Sequence, residues 1–131
     1  MGAPLVVRDL RHRYHTPEGE LVVLDGVSFE VRPGGYVALT GPSGAGKTTL
    51  LSLLGGLEAV QSGTVEVDGV DLGGASRAEL ARFRRRSVGF VFQHFGLLAT
   101  LTATENVELA LALSGVGGRR RRARARDLLE A

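Results

Sequence analysis

The chain has 131 residues, 44% apolar and 23% charged, the make-up of an ordinary folded domain that buries about two-thirds of its unfolded surface rather than of a disordered tail or a fibre. No apolar run approaches the ~18 residues that span a bilayer, no leader-like apolar stretch opens the chain, and the lack of cysteine excludes a disulfide framework, a thiolate zinc site and a cysteine nucleophile. Fifteen arginines stand against one lysine at a net charge of +2, which demands no polyanionic partner, and no two of His12, His15 and His94 have the i, i+4 spacing of a helical zinc site.

Leu5–Val7 and Leu21–Leu24 are short β-rich runs flanking the polar turn Thr16–Gly19, which predicts an opening hairpin. Val27–Val31 alternates apolar and polar, as a half-buried strand should. After the turn Arg32-Pro33-Gly34-Gly35, the nearly all-apolar Tyr36–Thr40 reads as a strand buried on both faces of a parallel sheet. A glycine-rich loop follows at once. Leu50, Leu51, Leu53 and Leu54 then mark a helix from Lys47 that Gly55-Gly56 stops.

Thr64–Val67, the turn Asp68-Gly69 and Val70–Leu72 predict a second hairpin. Ser76 with Glu79 three residues on is a capping box, in which each side chain satisfies a free N–H at a helix start, so a helix is expected over 77–85. Val88–Phe92 reads as another apolar strand, ending at Gln93. Thr102 with Glu105 repeats the capping signature ahead of a second amphipathic helix. A loop, Gly115–Gly118, separates it from an arginine-rich helical stretch that closes the chain. No repeat or linker divides the sequence, and the last helix has barely displayed an apolar face when it stops, so one incomplete domain is expected.

The lone lysine lies in Gly41-Pro42-Ser43-Gly44-Ala45-Gly46-Lys47-Thr48, a Gly-x-x-x-x-Gly-Lys-[Ser/Thr] pattern of which this composition would yield roughly 0.002 matches by chance. It lies between an expected strand and a leucine-striped helix, the context its chemistry requires. Glycines at 41, 44 and 46 remove the Cβ atoms that would stop a backbone curling around a phosphate. N–H groups from Gly44 to Thr49 can then face an anion at the helix N-terminus, where free donors and the dipole favour it. Lys47 supplies a mobile charge for β- and γ-phosphates, and the Thr48 hydroxyl can complete a Mg²⁺ shell. The competing reading is a glycine-rich turn carrying a surface lysine.

With these motifs in order, the sequence resembles the N-terminal part of an ATP-binding cassette (ABC) ATPase domain along its whole length. Tyr14 stands where that family has an aromatic that stacks on adenine; Gly41–Thr49 is its Walker A loop; Ser62-Gly63-Thr64 and Val67-Asp68-Gly69 resemble the hairpin after it; Gln93 resembles the Q-loop glutamine. Val88–Gln93, Phe95-Gly96-Leu97-Leu98, Leu101-Thr102-Ala103 and Glu105-Asn106-Val107 look most like the branch of lipoprotein release and macrolide-type export, although Ala99 stands where a proline is common there.

The resemblance implies an α/β P-loop core with an added antiparallel β portion over 1–93 and the start of a helical subdomain over 94–131. It implies ATP and Mg²⁺ as ligands, with nucleotide contacts from Tyr14, Gly41, Ser43, Gly44, Ala45, Gly46, Lys47, Thr48 and Thr49. Metal contacts fall to Thr48 and Gln93, and catalytic roles to Lys47 and Gln93. The implied partners are a second ATPase domain and a transmembrane permease touched by the segment after Gln93, on the cytoplasmic face of the membrane. Tyr14 as a surface aromatic and Gln93 as a strand-end cap are the plain alternatives. For Tyr14 the stacking reading needs the ring and not the hydroxyl, so Tyr14→Phe is expected to be neutral.

The family's later motifs, the Walker B strand, D-loop and switch histidine, do not follow Gln93, and Leu113-Ser114-Gly115 reads as a helix-ending turn rather than a signature motif. A non-hydrolysing nucleotide-binding fragment is therefore the alternative to a complete ATPase, and an unrelated P-loop kinase or GTPase the third reading. The arginine run from Arg119 to Arg126 is read as a solvated helix face, with no nucleic acid expected, because no aromatic interleaves it.

Overall fold

The computed structural model describes residues 2–131. The chain forms two compact units, the first ending at Val88 and the second running Gly89–Ala131.

The first unit is built on a sheet in the order β2-β1-β3-β4. The opening hairpin is longer than its apolar runs, because β1 (Leu5–Thr16) and β2 (Gly19–Val31) continue through polar residues as one antiparallel ribbon. β3 (Ser62–Val67) pairs antiparallel with β1 and turns through Asp68-Gly69 into the short β4 (Val70–Asp71). Helix α1 (Lys47–Leu54) ends at Gly55, and α2 (Arg77–Ser87) starts from the expected box, with Ser76 Oγ accepting from Glu79 N–H and Glu79 Oε2 from Ser76 N–H. Val7, Leu10, Leu24 and Val65 from the sheet meet Leu50 and Leu53 of α1, Leu72 just after β4, and Phe83 of α2 in one core. Each large apolar side chain so buried contributes about 1.5–3 kcal/mol of transfer free energy.

A bulge in β1 decides which residues face that core. Asp9 takes φ 43°, its N–H donates to Ser28 Oγ at 2.8 Å, and the strand register shifts between Val7 and Leu10. Inward positions therefore run Val7, Leu10, His12 instead of following strict alternation, while Arg8, Asp9, Arg11 and Arg13 stay exposed. β3 closes on the bulge at Gly63, where a Cβ would lie 2.4 Å from Asp9 O and 2.6 Å from Arg8 O at a φ of +84°, so no other residue fits.

Two expected strands are not strands. Tyr36–Thr40 carries no ladder and is exposed, Tyr36 at 95%, and Val88–Phe92 likewise passes without pairing, with Val91 fully exposed. An apolar run becomes a strand only when another backbone offers it a hydrogen-bond partner, and no described segment does so here. Leu39 and Thr40 instead border a cavity of about 160 Å³ with Leu24, Val27 and Leu50.

In the second unit α3 (Ala103–Leu113) starts from the box of Thr102 and Glu105, and α4 (Gly118–Glu130) packs on α3 through Ala125, which is fully buried. Arg121 and Arg122 of the arginine run approach Glu108 of α3, at 3.9 and 3.8 Å. The rest of the run is exposed except Ala125, as a solvated face should be. Asn106 on α3 bonds the loop before it: its Oδ1 accepts from Leu98 N–H, and its Nδ2 lies within reach of the carbonyls of Leu98, Leu101 and Thr102.

Candidate functional site

The glycine loop turns from Thr40 into α1 over Gly41–Gly46. Gly44 and Gly46 both take left-handed φ, 81° and 82°, and Gly46 is the N-cap of α1 with no side chain over the helix start. A Cβ on Gly46 would lie 2.9 Å from Val23 O and 3.0 Å from Leu24 Cδ2, so glycine is what lets the loop lie against β2. The first N–H groups of α1 lack intrahelical acceptors and, with the dipole, present a positive end. The Ala45 N–H is committed within the loop, donating to Pro42 O at 3.2 Å.

The Lys47 ammonium folds over the loop, donating to Gly41 O at 2.8 Å and Pro42 O at 2.6 Å. Its charge thus sits at the mouth of the loop rather than in solvent. Ser43, Gly44 and Thr48 are exposed, and Thr49 is half-buried. Exposed N–H donors, one ammonium and a hydroxyl fit a polyphosphate with a hard, oxygen-seeking cation such as Mg²⁺.

Tyr14 reaches this loop from β1. Its hydroxyl lies 3.2 Å from Thr49 Oγ1 and donates to the Glu58 carboxylate, 2.8 Å from Oε1 and 3.0 Å from Oε2. The hydrogen bond with Thr49 favours the phenolate, but desolvation together with the hydrogen bond and charge of Glu58 outweigh it, so Tyr14 titrates above its ordinary range. His12 packs against the same ring at a centroid distance of 4.8 Å and 74°. It is 2% exposed. Gln61 extends β3 with its side chain, accepting from Arg13 N–H at 2.8 Å and donating to Arg13 O at 2.9 Å, which holds β1 just before Tyr14.

The structure therefore brings Tyr14 together with the loop helix through Thr49. Gln93 belongs to the second unit, exposed in the turn Gln93–Gly96. Glu58 and His12 escape a sequence reading, because Glu58 is 44 residues from its partner and the bulge at Asp9 is what turns His12 inward. The three-residue spacing of Val7 and Leu10 was the available signal. A larger cavity, about 520 Å³, lies elsewhere, bordered by Asp71, Glu79, Arg82, Phe83 and Arg86; it has no loop donors and no part in this site.

Among known proteins, an uncharacterized ABC transporter ATP-binding protein of Mycobacterium tuberculosis is 46% identical over 125 residues, covering 95% of this chain and 38% of the relative. The macrolide export ATP-binding/permease protein MacB of Brucella abortus is 41% identical over 131 residues, 99% of this chain and 20% of that protein. An uncharacterized ABC transporter ATP-binding protein of Thermotoga maritima is 46% identical over 117 residues, 89% and 50%. The chain spans half or less of the length of these relatives. A solved dimeric ATP-binding cassette in a post-hydrolysis state, bound to ADP and Pi, superposes with a TM-score of 0.87 at 35% identity, covering 96% of this chain and 56% of that one. The family model for ABC transporters matches residues 24–131, from the middle of β2 through the loop, α1 and both capped helices, and the chain belongs to that family.

Proposed function

We propose that this chain is the nucleotide-binding part of an ABC transporter, in which the Gly41–Thr49 loop holds the phosphates of ATP and Tyr14 stacks on the adenine. The observation that carries the reading is the contact between Tyr14 and Thr49, which ties an aromatic ring to the first turn of the helix that presents the loop's donors. A ring platform and an anion cradle a few ångströms apart suit a ligand with a base at one end and phosphates at the other.

In this reading Lys47 gives up its bonds to Gly41 O and Pro42 O for phosphate oxygens, and Ser43, Gly44, Gly46, Thr48 and Thr49 line the phosphates. Ala45 contributes shape, its N–H being used inside the loop. Bound Mg²⁺ would neutralise phosphate charge, with Thr48 Oγ1 as the residue of the first unit to hold it. In the whole protein, ATP hydrolysis drives export or lipoprotein release by a permease. The exposed Phe95, Leu97 and Leu98 are the surface for that permease, and a second ATPase domain completes the site. The assembly works at the cytoplasmic face of the membrane; no described helix is long and apolar enough to cross it.

Calorimetry of Mg-ATP against the protein and its Lys47→Ala form tests the loop: binding by the parent and none by the variant is expected, and equal affinity would sink the assignment. Hydrolysis needs acidic metal ligands and a residue to orient water beside Lys47, Thr48 and Gln93. The alternative reading, that these 131 residues bind nucleotide without turning it over, is lost if they hydrolyse Mg-ATP over many turnovers above the Lys47→Ala background.

A further inference from the structure

A phenol in a binding site normally turns about two side-chain torsions, yet the Tyr14 ring is held at its tip and along one side. At the tip, its hydroxyl donates to Glu58 and meets Thr49. Along the side, it meets His12, whose ring nitrogens are buried and make no hydrogen bond; Nε2 lies 3.5 Å from Glu58 Oε1, near enough for an ion pair but not aligned for a hydrogen bond. Glu58 is the one carboxylate in this set, and its side chain is one-third exposed. A carboxylate beside a site for a polyanion is electrostatically unfavourable unless it does something there.

We propose that Glu58 is the positioning residue of the base platform: it accepts the Tyr14 hydroxyl and thereby sets the ring before nucleotide arrives. The inference rests on the reading of Tyr14 as the adenine-stacking residue. A hydrogen bond to a charged acceptor is among the stronger kinds, and a ring fixed in advance spares the ordering that ligand binding would otherwise require. Because the same hydroxyl touches Thr49, the platform is set relative to the first turn of α1, so the base end and the phosphate end of the site keep one spacing. Glu58 touches no ligand in this scheme. It acts through the phenol, and its removal should be felt at the base and not at the phosphates.

The test is calorimetry of Mg-ATP and of Mg-tripolyphosphate, which has no base, on the protein and its variants. Glu58→Leu, which removes the acceptor, is expected to weaken Mg-ATP roughly 3- to 10-fold and leave Mg-tripolyphosphate unchanged, with Glu58→Gln, whose carbonyl still accepts, recovering most of the loss. Tyr14→Phe should reproduce the Glu58→Leu loss, and the two together should lose no more than either alone. Unchanged Mg-ATP affinity in Glu58→Leu overturns the proposal, as does a parallel loss of both ligands, which would mean that Glu58 merely supports the fold around His12. If Tyr14→Ala leaves Mg-ATP affinity unchanged, the stacking reading itself fails and the proposal with it. If Tyr14→Ala weakens Mg-ATP while Glu58→Leu does not, only the positioning role is lost.

Discussion

Asn106 on α3 grips both polar groups of Leu98, accepting from its N–H at 2.8 Å and donating to its carbonyl at 3.2 Å, so a helix residue fixes a loop residue eight positions before it. The amide also reaches the carbonyls of Leu101 and Thr102, at 3.2 and 3.0 Å. One side chain thereby sets the path of the chain that follows the exposed Phe95 and Leu97.

Asn106→Ala should loosen that loop while leaving α3 in place, since the helix start is capped independently by Thr102 and Glu105. Losing the bond to Leu98 N–H is worth about 1 kcal/mol, or roughly fivefold faster local amide exchange. Hydrogen exchange at Leu98 reads it, and unchanged protection there would show that the loop is held by other means.

Lys47→Ala should leave stability within about 1 kcal/mol of the parent, because the ammonium bonds only two carbonyls of its own exposed loop and supports no core residue. Urea denaturation measures this. A larger loss would make Lys47 a structural brace of the loop as well as its proposed phosphate ligand.

The two capping carboxylates make helix stability depend on acid pH. Glu79 is held below the ordinary 4.5 by hydrogen bonds from the Ser76 side chain and then its backbone, and Glu105 by the Thr102 backbone and then its side chain. In each case the folded state binds its proton later than the unfolded state. The contribution is therefore complete above the ordinary carboxylate range and disappears as pH falls through the lowered value. Glu79→Gln should narrow the gap between melting temperatures measured at neutral pH and in acid, and an unchanged gap would show that the α2 cap does not titrate. Ser76→Ala should destabilise α2 by about 1 kcal/mol at neutral pH.

Gly63→Ala should cost about 2 kcal/mol or more, since the added methyl meets the Asp9 and Arg8 carbonyls below any real contact distance in a left-handed backbone. Urea denaturation checks it, and a loss below about 1 kcal/mol would mean that the bulge in β1 yields easily.

What could be read in the sequence was what short segments decide for themselves. Ser76 with Glu79 and Thr102 with Glu105 close rings of hydrogen bonds within four residues, and the loop's glycines need only their own backbone and one neighbouring strand. Tyr36–Thr40 and Val88–Phe92 are different. Their apolar composition favours burial, but a ladder requires a second backbone that their own residues do not specify, and both runs lie unpaired. The Tyr14 site mixes the two cases. The ring stands out only through the family resemblance, and its hydroxyl bonds to Thr49 and Glu58 arise from chain crossings 35 and 44 residues long. That is why Tyr14→Phe, neutral by the stacking argument alone, becomes an informative substitution.

The bulge at Asp9 makes the base platform a matter of parity. His12 faces the core and Tyr14 reaches α1 because the bulge lets Arg8 and Asp9 together take one place in the alternation between Val7 and Leu10. Straightening the bulge with both residues kept would turn every later side chain of β1 through to the other face of the sheet, setting arginines toward the core and the phenol toward solvent. Along this stretch the backbone path at Asp9 governs more than the chemistry of its neighbours. Exposed Arg8 can be exchanged for many side chains, whereas a change that forced Arg8 and Asp9 into plain alternation would leave the glycine loop whole and take the ring away from it.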